Sequence, residues 1–301
     1  MRSSAQPIHM TQIERLRPEP IPAIHPLPEY LATGQRAEWY EETKRVLQVP
    51  WMGVVTMAYS HYPKFFGELW RGLKPLCQSR SFVEAFLELR EFVEAQTIQL
   101  NPKSLVTELT DLGYASREID SIREMNTVFS YGNQPYVVLA AIARHLLEIG
   151  DMTGEFDAEP WQGRHAPDVQ VPFLLMEAHH VDIPTREVYE DIKTRLNLPF
   201  VNTDYRAFAR WPSYFALAWN DLRKSVGSTE HEAVCQACHD RVAMLAAEGL
   251  PNPGQLSSLA LRQAAEADAS LEEVIQMCRL FQWLLPGLIT NVAFLRHQLE
   301  D

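Results

Sequence analysis

A chain that carries one segment twice has to fold that segment twice. Val49–Trp70, VPWMGVVTMAYSHYPKFFGELW, returns without a gap as Leu198–Trp219, LPFVNTDYRAFARWPSYFALAW. At a constant separation of 149 positions, Pro50 meets Pro199, Trp51 meets Phe200, Tyr62-Pro63 meets Trp211-Pro212, Phe66 meets Phe215 and Trp70 meets Trp219. The match continues upstream, where Tyr40-Glu41-Glu42 pairs with Tyr189-Glu190-Asp191, Lys44 with Lys193 and Leu47 with Leu196. A shared aromatic and proline frame predicts two segments of one shape doing the same packing work. Where the copies differ in polarity, packing is not the reason. Gly53-Val54-Val55 becomes Asn202-Thr203-Asp204. In an enclosed place each unsatisfied polar group costs roughly 1–3 kcal/mol, and a carboxylate more, so the exchange points to chemistry at Asp204.

The apolar spacing is helical throughout. Tyr40, Val46 and Leu47 share a face up to Pro50; Val54, Val55, Ala58, Tyr59 and Tyr62 recur at steps of three and four. Pro63 opens a further helix and Ser81 is expected to cap a long one, Phe82 to Leu100. Asn101-Pro102 and Gly113 are stops, and Ser116 opens the next helix. Phe129–Tyr136, FSYGNQPY, predicts an interruption, since Gly-Asn and Gln-Pro are breakers inside an apolar run. The second half repeats this order: a helix to Leu198, the Asp204 segment, an Ala-rich helix from Cys235 to Ala247, a break at Pro251-Asn252-Pro253, and helices from Ser257 and Ser270. No stretch reads as a strand. The expected fold is all-α, two pseudo-symmetric helical repeats with the site in the seam between them. The expected division is a Pro-rich arm over 1–30, wrapped on the surface or disordered, repeat 1 over 31–150, a linker over 151–172 and repeat 2 over 173–301.

A formal net charge of −12 argues against nucleic acid or an anionic membrane as partner. It also means that an anionic ligand needs locally placed donors. No apolar run approaches membrane-spanning length, and the first residues, MRSSAQPIHM, lack the apolar core of a signal peptide. Four cysteines are too few for a disulfide scaffold. Together these predict a cytoplasmic protein.

Thr203-Asp204 has a plain reading as a helix N-cap. The first copy begins the same helix with Val54-Val55, so the geometry does not demand a cap. A carboxylate there suits a general base acting on water, and the N–H groups at the two helix starts suit a substrate carboxylate. Tyr131, Asn133 and Tyr136 lie at the expected break; Asn133 can orient a water beside a carboxylate, whereas the tyrosines serve equally as kink packing. Cys235-Gln-Ala-Cys238-His239 matches the haem-attachment pattern but falls mid-helix, where small core residues are the simpler reading. No second cysteine pair completes a zinc site. Glu177 with His179-His180 resembles half of a metal site, but the fuller zinc-protease pattern is missing and surface or satisfied histidines are the simpler reading; Glu68 is either a second acid or, more simply, a solvated helix face.

VPWMGVV, FSYGNQPYVVL and NTDYRAFARWP, in this order and spacing, resemble the group I 2-haloacid dehalogenases, an all-helical family acting on D-, or on both D- and L-, 2-haloalkanoic acids. The resemblance implies that Asp204 deprotonates a water held with Asn133, and that this water displaces halide from carbon 2 with inversion and without an ester intermediate. It implies that Trp51, Val54 and Thr203 line the substrate pocket, with Val54 at a position where the family can carry a larger aromatic. Phe281, Leu284 and Leu288 are the candidate apolar wall. No metal or organic cofactor is implied; a homodimer is plausible from family habit. From the residues alone, another cofactor-free hydrolase of small organic acids, or a helical binding protein, remains open.

Overall fold

The computed structural model describes residues 13–168 and 170–300. Helical periodicity becomes twelve α-helices among them: α1 (Gly34–Leu47), α2 (Val54–Tyr59), α3 (Pro63–Cys77), α4 (Arg80–Thr97), α5 (Val106–Asp111), α6 (Ser116–Glu148), α7 (Ile183–Leu196), α8 (Thr203–Phe208), α9 (Pro212–Ser225), α10 (Thr229–Met244), α11 (Ser258–Glu266) and α12 (Leu271–His297). No strand forms among the described residues, and one isolated bridge joins Ser79 to Pro160.

The matched segments fold alike. The bounds of α1 and α7, and of α2 and α8, stand at the same separation as the sequence match, and α3 and α9 both open on the matched prolines, at the helix start where a missing N–H does no harm. Both α1 and α7 end on a left-handed residue, Gln48 at φ 53° and Asn197 at φ 53°. The bonds repeat too. Trp70 Nε1 donates to Glu42 at 2.8 Å and Trp219 Nε1 to Asp191 at 2.7 Å. Tyr40 Oη donates to the Leu27 carbonyl at 3.0 Å and Tyr189 Oη to that of Met176 at 2.7 Å. The halves nonetheless share one apolar core, in which α6 and α12 form the central pair and α3 and α4 pack across onto α11 and α10.

Four expectations change. The cap of α4 is Ser79, whose Oγ accepts from the Phe82 N–H, so Ser81 lies inside the first turn. The segment FSYGNQPY does not break: α6 runs straight through it. Burial overrides local propensity there, since almost every residue from Val128 to Leu147 is buried. Gly132 marks a close approach, because a Cβ on it would stand 2.4 Å from the Trp51 ring. The irregular connection extends past residue 172 to Asp182, where the Asp182 side chain caps α7. Finally, α12 is long and apolar enough to cross a membrane, contrary to the expectation that no run approaches that length, yet 83% of its most apolar stretch is buried inside the protein, which makes it a core helix.

Other boundaries fall where their residues placed them. Ser257 and Ser270 accept from Ala260 N and Glu273 N as caps of α11 and α12, and Gly113 takes φ 94° after α5. Residues 13–28 of the arm lie extended along the surface: Ile13 is buried, Arg144 donates to the Glu14 carbonyl at 2.8 Å and Arg15 to that of Trp283 at 3.2 Å. The earlier part of the arm lies outside the described residues.

Candidate active site

Asp204 is the second residue of α8 and is 2% exposed. Neither α8 nor its counterpart α2 has a side-chain cap; Asn202 and Gly53 stand at the cap positions without one, so no cap side chain takes up the N–H groups of either first turn. Between the two helix starts lies a small cavity of about 30 Å³, walled from the first half by Trp51, Gly53, Val54, Val55, Asn133 and Tyr136 and from the second by Phe200, Asn202, Thr203, Asp204, Phe281, Leu284, Leu285 and Leu288. The site therefore lies in the seam.

Asn133 crosses that seam. Its Nδ2 donates to Asp204 Oδ1 at 2.6 Å, and both side chains are buried. Burial pushes the Asp204 carboxyl up to about 6; the Asn133 amide, the Asp204 backbone N–H and the Arg206 charge pull it part of the way back. An uncharged donor beside the carboxylate orients it while leaving it basic, which a cationic partner would not do. The shift from 3.8 to about 6 corresponds to about 3 kcal/mol of folding free energy given up at neutral pH, at about 1.4 kcal/mol per unit. Because the folded value is raised, this cost is absent below about pH 4 and complete above about pH 6.

The rest of the wall is fixed by packing. Tyr136 Oη donates to the Trp51 carbonyl at 2.8 Å, and burial raises its phenol far above its usual value, so it positions Trp51 and stays neutral. The Trp51 ring stacks on Phe173 at 5.4 Å and meets Phe129 edge-on at 5.0 Å. Gly53 is obligatory here, since a Cβ would come within 2.8 Å of the Tyr136 ring. Thr203 places its hydroxyl-bearing side chain beside Asp204, and Phe281, Leu284 and Leu288 supply the apolar wall from α12. The polar groups are few and convergent and the rest apolar, the composition of a small-molecule site.

Of the residues singled out in the sequence, Asp204, Asn133, Thr203, Trp51, Val54, Tyr136, Phe281, Leu284 and Leu288 converge on this cavity, and Tyr131 does not. Tyr131 carries the Arg90 guanidinium over its ring at 4.1 Å and lines a separate cleft of about 720 Å³. The reason is the unbroken helix: two residues from Asn133 is about 200° around α6, while Tyr136, three residues on, returns to the same face. Gly53, Val55, Phe200, Asn202 and Leu285 line it too and were not among the candidates. Phe200 and Val55 were legible as the repeat partners of Trp51 and Asp204; nothing in the sequence marked Leu285 off from the core.

The other constellations resolve into structural roles. Glu68 pairs with Arg71 at 2.6 Å, outside the cavity. Glu177 pairs with Arg206 at 2.6 Å, and His179 and His180 are exposed. Cys235 and Cys238 are buried in the core. His231, Glu232 and Cys235 come within 4.8 Å of one another; His231 Nε2 bonds Asn291 at 2.8 Å and Glu232 Oε2 accepts from Arg15 at 2.7 Å, which ties two of the three into the packing around them.

No protein-family model matches the chain. It is 42% identical over 253 residues to an (R)-2-haloacid dehalogenase of Rhizobium sp. (strain NHG3), covering 82% of this chain and 96% of that protein. To an (R)-2-haloacid dehalogenase of Pseudomonas putida it is 35% identical over 283 residues, covering 91% and 92%. Among solved structures, a D-2-haloacid dehalogenase mutant in complex with D-2-CPA superimposes with a TM-score of 0.83 at 32% identity, over 96% of this chain and 99% of that one. With these relatives matched over nearly their whole length, and with the buried Asp204–Asn133 pair at the centre of the shared helical fold, the chain belongs to the group I 2-haloacid dehalogenase family.

Proposed function

We propose that the protein hydrolyses the carbon–halogen bond of short D-2-haloalkanoic acids, giving 2-hydroxyalkanoic acids of inverted configuration. Asp204 takes a proton from a water steadied by the Asn133 amide. The water oxygen forms its bond to carbon 2 from the face opposite the halogen, and halide leaves with the bonding pair. Asp204 then returns its proton to solvent, and no group of the protein becomes covalently attached. Thr203 and the N–H groups at the starts of α2 and α8 hold the substrate carboxylate, while Trp51, Val54, Phe281, Leu284 and Leu288 enclose its carbon and halogen. The smallness of the cavity favours short chains, and Val54 leaves room where a larger side chain would narrow it. The reading includes a cytoplasmic location, supported by four free cysteines, no metal or organic cofactor, and a homodimer.

The observation that carries the proposal is the buried, neutral-donor pair of Asn133 and Asp204 at 2.6 Å, with a carboxyl poised at about 6. Halide release from D- and L-2-chloropropionate, measured separately with chiral analysis of the lactate, tests it: D-substrate should release halide and yield inverted product. No release from either enantiomer by folded protein overturns the activity. In a single turnover with excess enzyme in ¹⁸O-water the label should appear in the hydroxy acid; label in Asp204 would mean an ester intermediate. Since the base acts ionised, kcat/KM should rise with pH through about 6 and level off above it.

A further inference from the structure

A carboxylate that reacts at Asp204 has to reach a small, mostly apolar cavity inside a chain of formal net charge −12, whose overall field repels it. The Asp204 cavity, of about 30 Å³, abuts a second one of about 220 Å³, and Asn202, Leu284 and Leu288 line both. The larger cleft beside Tyr131 has no lining residue in common with the Asp204 cavity.

The second cavity is electropositive in an acidic protein. Arg15, Arg17 and Arg195 line it against a single carboxylate, Glu232. Glu232 is already bound by Arg15, which also donates to the Trp283 carbonyl and so pins the arm to α10 and α12. The other two guanidiniums are loosely paired. Among the described residues Arg17 forms an ion pair only with the exposed Glu19, at 3.2 Å, and its Nε is buried with no hydrogen-bond partner. Arg195 stands 3.9 Å from Asp191, a carboxylate that Trp219 and Arg223 bind at 2.7 and 3.0 Å. At the junction of the two cavities, Asn202 Oδ1 is buried with no partner among the described residues; an amide in that place can accept from a water or, turned over, donate to a carboxylate.

We infer that this cleft is the entrance to the Asp204 cavity and an anion-gathering vestibule, in which Arg17 and Arg195 receive the carboxylate of the incoming acid and Asn202 hands it inward. The arm that carries Arg15 and Arg17 is its outer wall. This rests on the haloacid reading for the identity of the acid, though not for the affinity of the cleft for anions.

The test compares the native chain with Arg17→Gln, Arg195→Gln and the double variant, with Arg45→Gln, an exposed charge in the larger cleft, as control for net charge alone. At low salt kcat/KM for D-2-chloropropionate should fall about 10-fold in the double variant, through KM, with kcat within about twofold, and the gap should narrow at about 0.5 M salt as screening takes over; Arg45→Gln should leave KM unchanged. Independently of turnover, Arg17 lies 5.8 Å over the Trp283 ring. Iodide quenching of the fluorescence lost in Trp283→Phe should therefore weaken severalfold in the double variant, while quenching by neutral acrylamide stays the same. An unchanged KM, an equal effect of Arg45→Gln, a loss confined to kcat, or iodide quenching that ignores the arginines overturns the vestibule. A native chain that releases no halide defeats the haloacid reading instead, and the iodide measurement still decides whether the cleft gathers anions.

Discussion

Asp204→Asn should release halide from D-2-haloacids at least about 10²-fold more slowly than the native chain, since a general base contributes about 10²–10⁴-fold, and should be the more stable protein at pH 8. Both effects come from one cause. The native carboxylate is 2% exposed and held by a neutral amide at 2.6 Å, so the environment that makes it basic also destabilises its charged form. The amide oxygen that the substitution introduces can still accept from Asn133, and the variant has no charge to bury. The gain should approach about 3 kcal/mol above pH 6 and vanish below pH 4. Thermal unfolding of both proteins at pH 4 and pH 8, with halide release at saturating substrate, checks the pair of effects. A variant that keeps most of its rate sinks the mechanism; one that loses its rate but gains no stability at pH 8 means the carboxylate is better solvated than its burial implies.

Glu148→Ala should have the largest effect on stability, about 3 kcal/mol, the low end for a buried pair, because removing the partly buried carboxylate leaves the buried Arg144 charge uncompensated. Arg144, with its side chain 7% exposed, donates from Nε to Glu148 at 2.7 Å and from Nη1 to the Gln282 amide and the Glu14 carbonyl. Arg279 reaches the same carboxylate through Nε and Nη2. Burial pushes the Glu148 carboxyl up, but Arg279 and Arg144 outweigh it and hold it below the usual range. Its contribution is therefore complete above the ordinary glutamate range and lost as pH falls through the depressed value. This junction ties α6 to α12 and to the arm, so its loss loosens the central pair. The thermal midpoint of Glu148→Ala should fall by at least about 5 °C at pH 7; a shift under about one degree would mean that the guanidinium escapes to water.

The amino-acid sequence by itself determined the periodic and the local. Spacings of three and four residues made the protein all-helical. Serine caps at 257 and 270, prolines at 63 and 212 and the glycine at 113 placed element ends, because those signals act through neighbouring backbone groups. It also marked Asp204, since a matched segment that exchanges valine for a carboxylate inside a shared frame of aromatics carries its own control.

Only the tertiary structure decided what depends on residues distant in the chain. Asn133 and Asp204 are 71 positions apart, and their meeting rests on α8 docking against α6. The continuity of α6 through Gly132 and Pro135 was likewise a tertiary outcome: the breakers are local costs of a few kcal/mol at most, outweighed by burying the helix along its length. That continuity turned Tyr131 away from the site and kept Tyr136 in it. Nor does any local pattern assemble Arg15, Arg17 and Arg195 around one cleft. Their charges are written in the sequence, but their common address depends on how the arm and α7 pack against the core.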